Sequence, residues 1–404
     1  MELLSPAGNL DKLKYAYLYG ADAAYIGIRN FSLRQKADNF HQDEFNEVKK
    51  LKGNKKLFGA LNIYFHQRDI ENLKNNIDYL KEYPFDAFII SDIGVVPILK
   101  GHFPDTPLHL STQANCVNGS AARMYRDMGF SRVILGRETP LAEIASIKES
   151  VPDLEIETFV HGAMCLAYSG RCFISRYMAD RSANQGACSH SCRWNYRVLE
   201  EAERPGEYYP VYEGDGFTSI LSSKDLCMID YLLDLKKAGI DSLKIEGRMK
   251  SLYYTAVITR AYRKHLDAVE GFSNVSEKEL EEYKEELLKV SHREFSTGFY
   301  FDKEDIEAPT TKSYERTTVF LGTLGEPAEN GAFHLEVKNK IVCGEELEFI
   351  GPDILYIKDC DYKIYDKHGL SVNEADHGKE YTIKTDKPLK TGYILRRKVR
   401  GLEK

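Results

Sequence analysis

Short apolar segments alternate with amphipathic helical segments along the first 270 residues of the chain. The apolar segments lack a polar face, which is typical of buried parallel strands, and each leads into apolar residues at helical spacing. Eight strand-helix units predict an α/β fold in which a parallel sheet closes as a (β/α)8 TIM-like barrel. The predicted strands are 3–4, 23–28, 57–64, 87–91, 108–111, 133–135, 154–159 and 243–245.

An open doubly wound sheet is the alternative arrangement of such units. Its dinucleotide-binding versions open the first helix with a G-x-G-x-x-G fingerprint, and this chain has none there. Near residue 311 the helical period gives way to short alternating segments separated by Gly, Pro, Asn or Asp, which predicts a small C-terminal β-barrel domain. We therefore expect a barrel catalytic domain over 1–270, a helical connector over 271–310 and the β-barrel domain over 311–404.

Polar and charged residues directly follow the predicted strands. Active sites of such barrels lie at the carboxyl ends of the strands, so these side chains predict one pocket. Some of them, Asp92 and Ser111 especially, could instead be helix N-caps. Three groups remain open as the catalytic acid or base. The candidates are Glu138, His161 and Glu246, and the substrate-facing polar set includes Asn62, Gln113, Arg137 and Arg248.

An insertion over 162–222, after the seventh strand, contains four of the eight cysteines of the chain. Cys165, Cys172, Cys188 and Cys192 have the spacing C-x6-C-x15-C-x3-C in a segment poor in aliphatic residues. Because little packing is available there, something else must order the segment, and four thiolates binding a soft-metal centre would do so. The insertion leaves the seventh strand at the end where the polar residues gather. The metal centre and the pocket should therefore be neighbours.

Three chemistries are open to these cysteines. Disulfides are disfavoured, because the chain opens on Met1-Glu2-Leu3-Leu4 without a secretory signal, which indicates a reducing cytoplasm. Zinc is the alternative metal, with His161 and His190 as further ligands, but zinc usually takes closely spaced cysteine pairs. An iron–sulfur cluster accepts irregular spacing better, since its ligands reach the corners of a larger cuboid. We favour a 4Fe-4S cluster.

Charge and composition limit the classes of partner. The 404 residues are 43% hydrophobic and contain no apolar run of the roughly 20 residues that a membrane span needs, so no membrane partner is expected. The net charge of -7 argues against a uniformly basic surface but allows a local basic face for RNA. Two basic stretches are candidates: Arg248 and Lys250 with Arg260, Arg263 and Lys264, and Arg396, Arg397, Lys398 and Arg400.

The run from Glu157 to Ser175, ETFVHGAMCLAYSGRCFIS, resembles the signature of the collagenase-like peptidase family of unassigned mechanism. Further runs that resemble the family lie at 2–8, 20–27, 110–113 and 242–249. The family includes bacterial enzymes that hydroxylate RNA pyrimidines. The resemblance implies prephenate-dependent 5-hydroxylation of the wobble uridine of tRNA, with an iron–sulfur cluster on the four matching cysteines.

Prephenate is a small dicarboxylate, so its binding would require cationic groups near the cluster, and arginine suits bidentate carboxylate contacts. The same cations could equally pair with Glu138, Glu157, Asp225 or Glu246. Trp194 or Tyr196 could stack on a base. The candidate substrate-binding residues are Arg34, Asn62, Gln113, Arg137, Arg171, Arg181, Asn184, Lys224, Lys244 and Arg248.

Two other functions compete with RNA hydroxylation. A collagenase-like peptidase is the first, yet the chain has neither H-E-x-x-H nor G-x-S-x-G, and its one thiol candidate, Cys165 with His161, conflicts with a metal role for Cys165. The second is a non-catalytic tRNA-binding protein with a structural metal site, against which the polar residues of the barrel mouth count. Assembly as a homo- or hetero-oligomer stays open.

Overall fold

A computed structural model of the chain describes residues 1–28, 31–32, 40, 44–165, 167–185, 187–189, 191–193, 212–214, 217–219, 223–273, 275–301 and 314–399. The first seven strands are β1 (Glu2–Ala7), β2 (Ala23–Gly27), β3 (Lys56–Leu61), β4 (Ala87–Ile90), β5 (Leu108–Leu110), β6 (Arg132–Ile134) and β7 (Glu155–Ala163). The helices among them are α1 (Leu10–Leu18), α2 (Phe45–Lys52), α3 (Gln67–Asn75), α4 (Ile77–Lys81), α5 (Val96–His102), α6 (Gly119–Asp127) and α7 (Leu141–Ser150).

The second part of the barrel region mixes helices with short strands. In chain order it contains α8 (Ile174–Ala179), β8 (Tyr212–Gly214), β9 (Phe217–Ser219), β10 (Asp225–Cys227), α9 (Leu232–Lys237), β11 (Ser242–Ile245), α10 (Leu252–Glu270), α11 (Glu277–Glu285) and β12 (Phe295–Ser296). Strand β11 pairs in parallel with both β1 and β7, so within the described residues β1–β7 and β11 close a cylinder of eight parallel strands. The predicted TIM-like barrel is confirmed.

Strand β7 is longer than its neighbours and continues beyond the rim of the cylinder. Its last residues, His161 to Ala163, pair antiparallel with β10, and β10 pairs in parallel with β12. The strands predicted from the sequence did not include β10. The barrel sheet therefore has an extension at the mouth, next to the cysteine segment.

Apolar residues at helical spacing predict a single helix over 70–83, but the structure has two helices, α3 and α4, separated at Asn76. The backbone of Asn76 leaves the helical region (φ -111°, ψ 14°), and its side-chain amide donates a hydrogen bond to the carbonyl oxygen of Asn72 at 2.8 Å. A side chain that bonds the preceding turn competes with the helical hydrogen bonds, which explains the break.

The C-terminal residues form an antiparallel sheet, as their alternating pattern predicts. Its strands and the small companion pair are β13 (Thr318–Pro327), β14 (Phe333–Val337), β15 (Ile341–Val342), β16 (Leu347–Ile350), β17 (Ile357–Asp359), β18 (Lys363–Asp366), β19 (Ser371–Val372), β20 (Glu374–Ala375), β21 (Tyr381–Lys384) and β22 (Ile394–Lys398). The main sheet has the order β17-β16-β22-β13-β14-β21-β18-β19, and β15 pairs with β20.

Buried charges join the two domains. Arg396 of β22 is fully buried and donates hydrogen bonds to Glu286 at 2.6 and 2.8 Å and to Glu348 at 2.8 Å. Arg260 of α10 bonds the same Glu286 at 2.9 Å. The sequence offered Arg260 and Arg396 as parts of basic RNA-facing stretches. Burial and pairing remove both from the surface, so that expectation was wrong for these two residues. Arg400 lies outside the described residues.

In the part of the chain that the structure describes, we find no helix with the length and apolarity required to cross a bilayer.

Candidate functional site

A cavity opens at the carboxyl ends of the barrel strands, where the polar residues were predicted to meet. Its wall includes groups that directly follow four different strands and groups of the cysteine segment. Of the predicted residues, the cavity brings together Asn62, Gln113, Arg137, Asn184, Lys244, Glu246, Arg248 and all four cysteines of the spacing motif. Side chains that are more than a hundred residues apart in sequence thus share one pocket.

Cys165, Cys172, Cys188 and Cys192 all line this pocket. Among the described residues, no group of three or more His, Cys, Asp or Glu side chains is arranged to hold a single metal ion. Four cysteine sulfurs around one cavity are of the donor type that zinc and iron–sulfur clusters take. The Ser175 hydroxyl donates to the Cys188 sulfur at 3.6 Å, a contact suited to a thiolate ligand.

The loop between the first two cysteines is fixed to the barrel by Glu138. The Glu138 carboxylate accepts hydrogen bonds from the Ser169 amide at 3.2 Å and from the Ser169 hydroxyl at 2.9 Å. The Ser169 hydroxyl also accepts a hydrogen bond from the Arg137 amide at 3.1 Å. Glu138 does not line the cavity in the described structure, so its position is that of a support for the cysteine loop and not of the catalytic group that the sequence offered.

Tyr64 and Gly170 bring the same loop against the segment after β5. The Tyr64 hydroxyl is 2.7 Å from the Gln113 carbonyl oxygen and 3.2 Å from the Gly170 carbonyl oxygen. Gly170 has φ +75°, and a Cβ atom built on it would lie 2.1 Å from the Gln113 carbonyl oxygen. Only glycine fits this close backbone approach.

Cationic side chains dominate the charge of the pocket wall. The described lining includes three cations, Arg137, Lys244 and Arg248, and one carboxylate, Glu246. Arg137 donates to Glu246 at 3.1 Å and stacks on Phe159, with its guanidinium carbon 3.8 Å from the ring centroid. The ion pairing that the sequence left open for Arg137 is therefore present.

Lys244 reaches the pocket from the interior of the barrel. Its ammonium group is 2.8 Å from Glu157, which also binds Arg132 at 2.9 Å. Burial lowers the pKa of Lys244, and the neighbouring charge of Glu157 opposes that shift. Lys244 thus has a carboxylate partner, as the sequence allowed, and still contributes to the wall.

Arg248 is 4% exposed and donates to the Ser32 hydroxyl at 2.7 Å. Its guanidinium occupies space that only a glycine at position 27 leaves open, since a Cβ on Gly27 would lie 1.9 Å from the Arg248 Nη1 atom. Gly27 is the last residue of one run that resembles the family, at 20–27. It leaves space for Arg248, which belongs to another such run, at 242–249.

His161 does not face the cavity in the described structure. It is 1% exposed in the barrel wall, between the rings of Tyr262 and Phe295, with its Nδ1 atom 3.4 Å from the Tyr262 hydroxyl. Burial lowers the pKa of His161 to about 3, so its imidazole is neutral at physiological pH. This placement does not favour His161 as a catalytic base, a partner of Cys165 or a metal ligand.

Several other predicted residues lie away from the described cavity wall. Lys224 precedes β10, Arg171 is on the outer surface, and the Arg181 guanidinium donates to the Cys188 carbonyl oxygen at 3.4 Å. Outside the described residues are Arg34, His190, Trp194 and Tyr196.

The sequence did not single out some residues that shape the site. Tyr25 and Phe159, which form apolar wall under Lys244 and Arg137, lie within strands where nothing in a hydrophobic pattern distinguishes pocket from core. Tyr64 could have been noticed as an aromatic residue at the end of the strand predicted over 57–64.

The chain is similar in sequence to several known proteins. The model of Peptidase family U32 matches residues 8–309, and that of the Peptidase family U32 C-terminal domain matches residues 316–396. The chain is 36% identical to tRNA hydroxylation protein P of Escherichia coli, with 87% of this chain and 86% of that protein covered. It is 36% identical to tRNA hydroxylation protein P1 of Bacillus subtilis, with 98% and 94% covered. It is also 29% identical to the Collagenase of Porphyromonas gingivalis, with 74% and 73% covered.

Proposed function

We propose that this chain, which belongs to peptidase family U32, is an RNA-modifying enzyme that hydroxylates the wobble uridine of tRNA at C5. The observation that carries the proposal is one pocket at the barrel mouth that is lined by four cysteines and three cationic side chains. Two relatives that match this chain over most of its length are named for tRNA hydroxylation, which supports RNA as the substrate class.

Cys165, Cys172, Cys188 and Cys192 would hold a 4Fe-4S cluster. Replacing C5–H by C5–OH removes two electrons from the base, and the oxygen donor would accept both as its C–O bond is replaced by a C–H bond. A bound iron–sulfur cluster would supply one-electron transfer chemistry. The surrounding residues hold the thiol segment in place. Glu138 and Tyr64 fix the loop between the first two cysteines, and the Ser175 hydroxyl donates to the Cys188 sulfur.

Prephenate is the proposed co-substrate and oxygen donor. Its two carboxylates suit a wall in which Arg137, Lys244 and Arg248 outnumber Glu246 among the described residues. This local positive charge is unlike the chain as a whole, whose net charge is -7. Arg248 is preorganised for such contacts, because Ser32 and the space above Gly27 fix its guanidinium.

Purification without oxygen tests the cofactor. We expect a brown protein with about four iron atoms and acid-labile sulfide per chain, and serine at any of the four pocket cysteines should lower both. Cys360→Ser is the matched control, because Cys360 is exposed and belongs to the C-terminal domain. Stoichiometric zinc in place of iron would contradict the proposed cofactor.

Nucleoside analysis tests the reaction. Transfer RNA from cells without the gene should lack 5-hydroxyuridine, and the intact gene should restore it while the Cys172→Ser gene should not. Unchanged 5-hydroxyuridine in a strain with no redundant enzyme would refute the hydroxylase. A metal-free protein that cleaves denatured collagen and loses that activity on Cys165→Ala would favour the peptidase, for which the similarity to a collagenase is the support.

A further inference from the structure

The helix inside the cysteine segment and the residues just before it carry large aromatic side chains that are mostly exposed. Phe173 is 75% exposed and Tyr177 is 87% exposed, and Tyr168, which lines the cavity, is 68% exposed. We name Tyr168, Phe173 and Tyr177 the aromatic ledge. Removing such rings from water lowers the free energy, so several exposed rings close together in the chain indicate a binding surface.

Phe173 and Tyr177 of the ledge lie at neighbouring positions of one helical turn. Phe173 caps the helix, and the Tyr177 amide donates to the Phe173 carbonyl oxygen at 3.0 Å, so the residues are one helical turn apart. Side chains at this spacing are neighbours on a helix surface. Tyr168 lines the cavity, and its carbonyl oxygen accepts a hydrogen bond from the Arg171 amide at 3.0 Å in the turn that precedes Cys172. The ledge thus falls within one short stretch of chain, 168–177, that begins at the pocket wall.

Positive charge accompanies the ledge. Residues 162–193 contain four arginines, one aspartate and no lysine or glutamate, although the whole chain has a net charge of -7. Arg176 pairs with Asp180 at 2.8 Å, but both side chains are mostly exposed, and such a pair is weak enough to exchange its carboxylate for a phosphate. Arg171 is exposed between Tyr168 and Phe173.

From this geometry we infer that the aromatic ledge binds the unpaired nucleotides beside the target base of an RNA loop. The inference rests on the proposed function and adds the surface that recognises the substrate. Exposed rings offer stacking platforms to bases, and interleaved arginines contact the backbone, which is the combination that single-stranded RNA needs. Bases of a duplex stack on one another and are not available to such a surface. A loop held here would place one base at the pocket rim, beside Tyr168.

Binding to short labelled RNA tests the ledge. Full-length protein, purified without oxygen, is titrated into an RNA hairpin with an unpaired loop and into a fully paired duplex of the same length. We expect a preference for the hairpin, and Phe173→Ala and Tyr177→Ala should each weaken hairpin binding by about 5- to 140-fold, the effect of losing one stacked base. Tyr177→Phe keeps the ring and should bind nearly as the wild type does.

Phe272→Ala is the matched control. Phe272 is 77% exposed but follows α10 at the opposite end of the barrel, so its loss should leave RNA binding unchanged. Iron content and thermal unfolding of each variant separate a ledge effect from damage to the neighbouring Cys172. Equal hairpin affinity of the wild type and both alanine variants would overturn the ledge, as would equal affinity of the wild type for hairpin and duplex.

Hydroxylation in cells separates the ledge from the proposed function. If the alanine variants keep iron but lose tRNA 5-hydroxyuridine, the ledge is supported as a substrate-binding surface. Normal modification by those variants overturns the ledge and leaves the hydroxylase standing. If deletion of the gene itself leaves the nucleoside unchanged, the hydroxylase fails whatever the binding data show. The inference is also overturned if the wild-type protein binds neither the hairpin nor the duplex and the ledge instead binds another protein.

Discussion

The Glu138 carboxylate accepts hydrogen bonds from both the amide and the hydroxyl of Ser169, at 3.2 and 2.9 Å. This pair joins the segment after strand β6 to the loop between Cys165 and Cys172. Glu138, which follows a barrel strand, thus positions the cysteine segment. It is not among the residues that line the described cavity.

The contact predicts a specific effect of Glu138→Ala. The substitution leaves the Ser169 donors without an acceptor, so we expect a loss of about 1–3 kcal/mol in unfolding free energy and fewer iron atoms per chain. Urea unfolding and iron analysis measure the two quantities. Glu149→Gln, at an exposed position of α7, is the control and should change neither. Full iron content in Glu138→Ala would remove the positioning role.

Gly170→Ala should damage the site more than backbone strain explains. Alanine at φ +75° costs about 1–2 kcal/mol, and at this position its Cβ would also meet the Gln113 carbonyl oxygen at 2.1 Å. Gly271 has the same φ of +75° with no atom near the added Cβ, so Gly271→Ala measures the strain by itself. We expect a larger fall in melting temperature and iron content for Gly170→Ala. Equal losses in the two variants would mean that the close approach has no effect.

Gly27→Ala should remove the Arg248 guanidinium from its place in the pocket wall while Arg248 itself is not substituted. The added methyl group would lie 1.9 Å from the Arg248 Nη1 atom and 2.6 Å from the Ser32 hydroxyl, so the guanidinium would have to move away from the partner that holds it. We expect iron content near wild type but a raised KM for prephenate in tRNA hydroxylation. Gly101→Ala, a helical position with open space around the new Cβ, should leave KM unchanged. A normal KM in Gly27→Ala would show that Arg248 does not bind the co-substrate.

The Glu286 cluster predicts the acid stability of the domain junction. Burial would raise the pKa of Glu286, but the hydrogen bonds and charge of Arg396, with the charge of Arg260, outweigh it and lower the pKa to about 2. A lowered carboxyl pKa stabilises the folded state above the unfolded pKa near 4.5. That stability is lost as pH falls from about 4.5 toward 2.

Urea unfolding between pH 7 and pH 3 measures this dependence. Glu286→Gln should lose about 3–5 kcal/mol at pH 7, because two buried arginines lose their charged partner, and its stability should vary less with pH below 4.5. Glu346→Gln removes an exposed pair with Lys358 and should change stability by less than about 1 kcal/mol. A Glu286→Gln curve parallel to that of the wild type would contradict the assignment.

The hydrophobic pattern and the cysteine spacing by themselves determined the barrel, the C-terminal antiparallel sheet and the thiol set. Strand period and helical period are local properties, so they can be seen in a single sequence. The polar residues after strands could also be placed at one mouth, because parallel strands in a closed cylinder end on the same side. Asn62, Gln113, Arg137, Glu246 and Arg248 meet there for that reason.

Only the tertiary structure decided which charged and aromatic groups face the pocket, the core or the solvent. Arg396 and Arg248 are both arginines in basic runs, yet one pairs with Glu286 between domains and the other lines the cavity. His161 follows the predicted end of β7, but β7 extends to Ala163 and keeps the ring in the wall. These outcomes depend on partners that are distant in sequence, and a local pattern does not contain the distance between them.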